Sequence, residues 1–201
     1  MKKKYTQVYQ FKITLKGIKL PIWRRIQVPE TYTFLELHLA IQNAMSWTVC
    51  HLHEFELVNP ETGLKQFIGT QNEDFGDEVL PESNKKIADY FSMENQSAVY
   101  TYDFGDNWEH KIHLEKIVPR EKGVKYPICM KGKRACPPED CGGIWGYAEL
   151  LEIIRNPKHE EYEEMLEWLG GEFDPEYFDV EEVSFYNPDK YLKDALEVYS
   201  V

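Results

Sequence analysis

The most constraining feature of the sequence is a strict alternation of apolar and polar side chains along one stretch, "AVYTYDFGDNWEHKIHLEKIV". Tyr100, Tyr102 and Phe104 alternate with polar residues before a turn at residues 105–107, and the same period resumes at Trp108. A period of two places alternate side chains on opposite faces of a strand. The stretch therefore predicts a hairpin of two antiparallel strands with one aromatic, buried face.

Four further segments share this period: "YQFKITLKG", "PIWRRIQVP", "HLHEFELV" and "LKQFIG". Between the second and third, Thr33 and Glu36 have the spacing of a capping box, and apolar residues then recur at helical intervals. The segment "NKKIADYF" predicts a second, short helix. The order β-β-α-β-β-α-β-β followed by helices predicts an α+β fold with a largely antiparallel sheet and packed helices.

We expect a single domain over residues 1–201, with a sheet-rich part (1–118) followed by a cysteine-containing loop and a helical, acidic C-terminal region (119–201). From Glu149 onward there are sixteen acids and four bases, a balance of −12 that equals the net charge of the chain. Residues 1–29 carry eight basic residues and no acid. This pattern fits a solvated strand edge with an acidic tail, or a basic face that meets phosphate. The acidic total argues against general coating of nucleic acid.

No apolar run approaches the roughly 20 residues of a membrane-spanning helix, so no membrane partner is expected. The lysines at the N-terminus precede no apolar block, so no signal peptide is expected either. Both observations predict a cytoplasmic location, where thiols stay reduced.

Three cysteines lie close together in "CMKGKRACPPEDCGG", at Cys129, Cys136 and Cys141. Their spacing is wider than that of most zinc sites, so two interpretations stay open. The thiols are reduced and packed, or they hold a structural zinc ion. A disulfide or a redox function is a third alternative. A zinc site would need a fourth ligand, for which the candidates are Cys50, His51, His53 and His110.

A second candidate site centres on the pair His51 and His53. On a strand the two imidazoles would point the same way, about 6–7 Å apart, which suits two ligands of one metal. Asp103, Asp106 and His110 from the hairpin would complete a His/Asp site with an open position. Such a site would hydrolyse a phosphodiester or an amide through activated water. The alternative is that both histidines continue the apolar face of their strand.

A third candidate is the aromatic and basic run Trp23, Arg24 and Arg25. These side chains would stack on and neutralise a nucleic acid, or contact a protein partner. Alternatively they pack in the sheet, with the inward arginine satisfied by a carboxylate or a carbonyl. Glu139 and Asp140 precede a Gly-Gly pair, which predicts a helix cap or a stabilised turn; orienting a histidine is the alternative.

Taken together, six blocks resemble the plasmid pRiA4b ORF-3-like family: "PIWRRIQVP", "LHLAIQNAMSW", "HLHEFEL", "YTYDFGDNWEHKIHLEK", "CPPEDCGGIWGY" and "FDPEYFDVEEV". They run in the expected order from about residue 5 to residue 185. The resemblance implies a compact α+β domain and a link to plasmids and mobile elements, where relatives travel as passenger genes. Some relatives carry a resolvase-like label, but the resemblance implies no established biochemical activity.

Recombinase chemistry is not expected. The first serine is Ser46, far from the N-terminus, and no histidine is followed by arginine three residues later. Two main hypotheses remain. One is a non-catalytic binding or adaptor module for a protein or nucleic-acid partner. The other is a metal-dependent hydrolase or nuclease that uses the His/Asp site, and a thiol sensor is the third.

Overall fold

The structure, a computed structural model, describes residues 4–70, 79–188 and 190–191. Eight strands of this part of the chain form one sheet in the order β5-β4-β3-β6-β7-β1-β2-β8. The pairing of β4 with β5 is parallel, and the other neighbours pair antiparallel. The strands are β1 (Gln7–Leu15), β2 (Trp23–Pro29), β3 (His53–Val58), β4 (Lys65–Gly69), β5 (Val79–Pro81), β6 (Ser97–Tyr102), β7 (Trp108–Pro119) and β8 (Ile128–Lys133).

The helices are α1 (Phe34–Met45), α2 (Gly143–Ile154) and α3 (Tyr162–Leu169), with short 3₁₀ turns at Ile87–Asp89 and Val180–Glu182. The predicted capping box is present at the start of α1. The backbone N–H of Glu36 donates to the Thr33 hydroxyl, and the backbone N–H of Thr33 donates to the Glu36 carboxylate. The α+β class expected from the sequence is confirmed.

The core lies between α1 and one face of the sheet. Alternation supplies that face, so Phe11, Ile13 and Leu15 of β1 are buried together while the side chain of Lys12 points to the other side. Phe34 of α1 meets the ring of Phe55 of β3 edge-on, with 5.1 Å between ring centroids. Each such side chain contributes about 1.5–3 kcal/mol by leaving water, which fixes the helix on the sheet.

Two strands and one helix differ from the prediction. β8 lies inside the segment expected to be a loop, and β5 has only three residues. The sequence of neither strand alternates between apolar and polar residues. β8 is a half-exposed edge strand, so its backbone hydrogen bonds to β2 decide its conformation. The helix predicted at "NKKIADYF" is only the turn Ile87–Asp89. The last predicted helix, near Pro188, lies largely outside the described residues.

The loop of residues 134–142 folds back over the end of the sheet where β6 stops and β3 begins. The indole N–H of Trp47, just after α1, donates to the Pro137 carbonyl at 2.9 Å. At the far end of the loop, Gly143 has a φ of 67°, and a Cβ there would lie 2.5 Å from the Asp106 carbonyl oxygen. Glycine is therefore needed for the loop to rest on the β6–β7 turn.

Candidate functional site

Three loops meet at this edge of the sheet and bring polar side chains together. They are residues 46–52 after α1, residues 103–107 between β6 and β7, and the 134–142 loop. The side chain of His51 comes from the first loop, Asp103 from the second and Asp140 from the third. Their ligand atoms all lie within 4.8 Å of one another.

His51 is the centre of this group. Its Nε2 lies 3.3 Å from Asp140 Oδ1 and 3.7 Å from Asp103 Oδ2. The same Nε2 is shielded from solvent and has no hydrogen-bond partner. Ligands bound at about 2.0–2.2 Å around one tetrahedral metal are themselves roughly 3.3–3.6 Å apart. The two distances from His51 Nε2 are close to this range, and the carboxylate oxygens of Asp103 and Asp140 lie within 4.8 Å of each other.

The site opens to solvent on one side. The side chain of Asp103 is 12% exposed, that of His51 is 27% exposed, and that of Asp140 is 71% exposed. A ligand could therefore approach past Asp140, while Asp103 forms the inner wall.

Glu139 lies beside this group and ties two of the loops together. Its carboxylate accepts hydrogen bonds from the Tyr102 hydroxyl at 2.6 Å and from the Thr48 hydroxyl at 2.6 Å. The Cys50 thiol donates to it at 3.6 Å. Burial raises the pKa of Glu139, but these bonds outweigh burial and the pKa falls below its ordinary value. Cys50, His51 and Glu139 form a second set of ligand atoms within 4.8 Å.

The loops that carry these residues contain left-handed backbone at positions without glycine. Asp103 has a φ of 55° and Asp140 a φ of 59°, which aspartate tolerates better than most residues. Val49 has a φ of 65°, which is unusual for a β-branched residue. Such a conformation costs about 1–3 kcal/mol and persists only where the surroundings enforce it.

His53, predicted to act with His51, belongs to a separate polar cluster. β3 begins at His53, so His51 lies outside the strand and the alternation rule does not relate the two side chains. His53 Nε2 meets Glu82 Oε2 at 2.5 Å, and its ring stacks on His38 with centroids 3.4 Å apart. His38 in turn meets the Tyr100 hydroxyl at 2.8 Å. His53 is absent from both ligand sets of the described residues.

His110 and Asp106 also stay outside the two ligand sets. His110 is fully buried against Trp47, with the rings edge-on and 5.3 Å between centroids, and its Nε2 has no hydrogen-bond partner. Asp106 lies under Gly143, and one of its carboxylate oxygens is buried without a partner. Of the five predicted His/Asp residues, the structure therefore brings His51 and Asp103 together.

The three clustered cysteines are not gathered into one ligand set. Among the described residues, neither group of ligand atoms contains Cys129, Cys136 or Cys141. Cys129 lies on β8, while Cys136 accepts a hydrogen bond from Arg24 at 3.3 Å. Burial raises the pKa of all three thiols, that of Cys141 to about 12. These cysteines are free thiols, as is Cys50.

The residues of the predicted partner-binding run have different environments. The Arg24 side chain is buried, at 2% exposure, and donates to three backbone carbonyls. Arg25 forms a two-pronged ion pair with Glu115, at 2.6 and 2.7 Å. Trp23 is half-buried beneath Arg25. Because Arg24 is buried, it cannot contact a partner. Trp23, Arg24 and Arg25 therefore do not form one continuous binding surface.

The sequence interpretation of Glu139 and Asp140 needs correction. Of the two predicted roles, a helix cap or a stabilised turn, the helix cap is wrong, because the N-cap of α2 is Gly142 and no side chain makes a capping hydrogen bond there. Both carboxylates instead face residues 46–52. The alternative prediction, that these acids orient a histidine, is the one that fits the position of Asp140, whose Oδ1 lies 3.3 Å from His51 Nε2.

Buried histidines make the stability of the fold depend on pH. Burial lowers the pKa of His110 from 6.5 to about 4, and burial also lowers the pKa of His38. At pH values between about 4 and 6.5, His110 binds a proton in the unfolded chain but not in the folded chain. The free energy of unfolding therefore falls as the pH falls. We expect His110 alone to lower the free energy of unfolding by roughly 2 kcal/mol between pH 7 and pH 5. Urea unfolding at pH 7 and pH 5 measures this loss of stability. His110→Gln should make the free energy of unfolding less dependent on pH. Equal stability of the wild type at the two pH values would contradict the prediction.

Comparison with known proteins places this arrangement in context. A family model described as "Plasmid pRiA4b ORF-3-like protein" matches residues 7–182. The uncharacterized protein y4hQ of Sinorhizobium fredii is 37% identical over 167 residues, which are 82% of this chain and 81% of that protein. A crystal structure of a protein of unknown function, MM3350 from Methanosarcina mazei Go1, is 57% identical and superposes with a TM-score of 0.85. That similarity covers 90% of this chain and all of the other.

In the part of the chain that the structure describes, no helix has the length and apolar character needed to cross a membrane.

Proposed function

The chain belongs to the plasmid pRiA4b ORF-3-like family, and we propose that this member is a metal-dependent hydrolase whose metal centre is formed by His51, Asp103 and Asp140. The observation that carries the proposal is the His51 Nε2 atom. It is shielded from solvent, lacks a hydrogen-bond partner and faces two carboxylates at 3.3 and 3.7 Å. A divalent ion would satisfy all three groups at once and offset the two negative charges.

The donor set is compatible with zinc. One imidazole and two carboxylates are ligands that Zn²⁺ accepts, and three protein ligands leave a position for water, as catalytic zinc sites require. When bound there, such an ion would lower the pKa of bound water and polarise a carbonyl group. The exposure of the Asp140 side chain supports access to the remaining position.

The residues around the centre suit a supporting role. Glu139 already accepts bonds from Thr48, Tyr102 and Cys50, so its carboxylate is occupied in holding the loops. Burial, together with the bond to Glu139, raises the pKa of Tyr102, so the phenol keeps its proton and remains a donor. This packing would hold His51 and Asp140 at a fixed separation, which metal sites need.

The local charge favours some substrates over others. Glu139 and Asp140 adjoin the centre, and the described ion pairs place no lysine or arginine beside it. A phosphodiester would therefore have only the metal ion to balance its charge, with the Glu139 carboxylate close by and no lysine or arginine of the described residues to assist. We infer an amide or ester substrate rather than a nucleic acid.

The test compares hydrolysis with and without zinc. We expect zinc-loaded protein to hydrolyse p-nitrophenyl acetate or a fluorogenic amide, a chelator to remove the activity, and bis-p-nitrophenyl phosphate to react more slowly. Asp103→Asn should lower the zinc-dependent rate at least about tenfold, because it removes a charged ligand. Zinc binding without zinc-dependent hydrolysis would refute the hydrolase and leave a metal-binding protein.

A binding or adaptor role is the second candidate. The feature that favours it is a groove between α2 and α3 with an apolar floor and an acidic rim. This groove adjoins the 134–142 loop but uses mainly other residues. It therefore supports a function that does not require the metal centre. Reduced thiols remain consistent with the cytoplasmic location expected from the sequence.

A further inference from the structure

The groove between α2 and α3 has a volume of about 360 Å³. Its floor is apolar: Leu150 and Ile153 of α2 are each 2% exposed, and Met165 of α3 lies opposite them. No residue of α3 is fully buried, so this helix offers its apolar side to the groove rather than to the main core. Trp168 stands at the edge and is 51% exposed.

The rim of the groove is entirely acidic. Glu149, Glu161, Glu164 and Asp140 contribute its charged side chains, and all four are exposed. Glu149, Glu161 and Glu164 form no ion pair with any cation among the described residues. Three unpaired carboxylates around an apolar floor make a surface that is complementary to a basic, amphipathic ligand.

Two exposed tryptophans flank this rim. Trp145 is 86% exposed and lies one helical turn before Glu149, so the two side chains are neighbours on α2. Trp168 lies one helical turn after Glu164 on α3, so these two side chains are neighbours as well. An exposed indole next to carboxylates can bind the face of an arginine guanidinium while the acids take its charge.

From these observations we propose that the α2–α3 groove docks an arginine- or lysine-rich amphipathic segment of a protein partner. The aliphatic stems and apolar side chains of that segment would pack against Met165 and Trp168, above the buried Leu150 and Ile153, and its cationic groups would reach the acidic rim. Nucleic acid is the wrong occupant because its phosphates would face the same carboxylates. The proposal does not depend on a bound metal, although Asp140 belongs to both regions.

The experiment measures binding of a synthetic peptide of alternating arginine and leucine by calorimetry, in the presence of a chelator. The wild-type protein should bind it, with an affinity that weakens at high salt. The pair Glu161→Gln and Glu164→Gln should weaken binding about tenfold by removing two rim charges. Trp168→Ala should weaken it as well. Circular dichroism of each variant establishes that α3 remains folded.

The matched control is the pair Glu163→Gln and Glu167→Gln, which removes the same charge from α3 at two positions that do not line the groove. This pair should bind the peptide within about twofold of the wild type. The proposal is overturned if the wild type does not bind the peptide, or if both pairs lose affinity equally. Equal binding of a glutamate–leucine peptide or of single-stranded DNA would also overturn it.

Discussion

Replacing Arg24 with alanine should lower the free energy of unfolding by about 3–5 kcal/mol. The guanidinium is buried between β2, β8 and α1. Its Nε donates to the Ala44 carbonyl at 2.8 Å and its Nη1 to the Lys133 carbonyl at 3.1 Å. It also lies 4.0 Å from the ring of Phe178. Alanine would leave these carbonyls without donors and open a cavity in the same place.

The neighbouring arginine provides the control. Arg25 has a half-exposed ion pair with Glu115, so Arg25→Ala should cost only about 0.5–1 kcal/mol. Arg24→Lys should not restore stability, because an ammonium group cannot reach carbonyls in several directions at once. Urea unfolding with an unchanged slope measures all three variants. A smaller loss for Arg24→Ala than for Arg25→Ala would show that the buried guanidinium does not tie these elements together.

Replacing His51 with alanine should weaken zinc binding about a hundredfold or more, since changes around a ligand already cost 10- to 100-fold and this change removes the ligand itself. The two carboxylates that remain, Asp103 and Asp140, come from separate loops and would repel each other without the imidazole. Competition with a chromophoric zinc chelator, starting from metal-free protein, measures the affinity. Thermal unfolding should show a zinc-induced rise in Tm for the wild type only.

Three control variants separate the alternatives for this site. His159→Ala removes a histidine that lies outside both ligand sets and should leave zinc affinity unchanged. Cys50→Ser should change it by only a few fold if Asp103 and Asp140 are the ligands. Cys129→Ser tests the cysteine site expected from the sequence. If Cys129→Ser abolishes zinc binding and His51→Ala does not, the His51 centre is wrong.

Alternation along the chain was enough to predict most of the sheet. The buried faces of β1, β3, β6 and β7 follow directly from it, because each has one face on the core and one toward solvent. Alternation does not predict β5 and β8, which lie at the two edges of the sheet. Their conformation comes from backbone pairing with β4 and β2, which no local pattern records.

The site was only half predictable for a related reason. His51 and Asp103 were candidates because their residue types suit a metal, whereas Asp140 reaches them through loop packing. That packing depends on contacts across about ninety residues of sequence: the bond from Trp47 to the Pro137 carbonyl and the bonds from Thr48 to Glu139. Likewise, the carboxylate partner of His53 is Glu82, which directly follows the short edge strand β5.

The most direct test of the metal centre is anomalous diffraction from a crystal of this protein soaked in zinc. The account predicts one strong peak between His51 Nε2 and the carboxylates of Asp103 and Asp140. A peak among Cys129, Cys136 and Cys141, or no peak at an ordered His51 in zinc-saturated crystals, would contradict it.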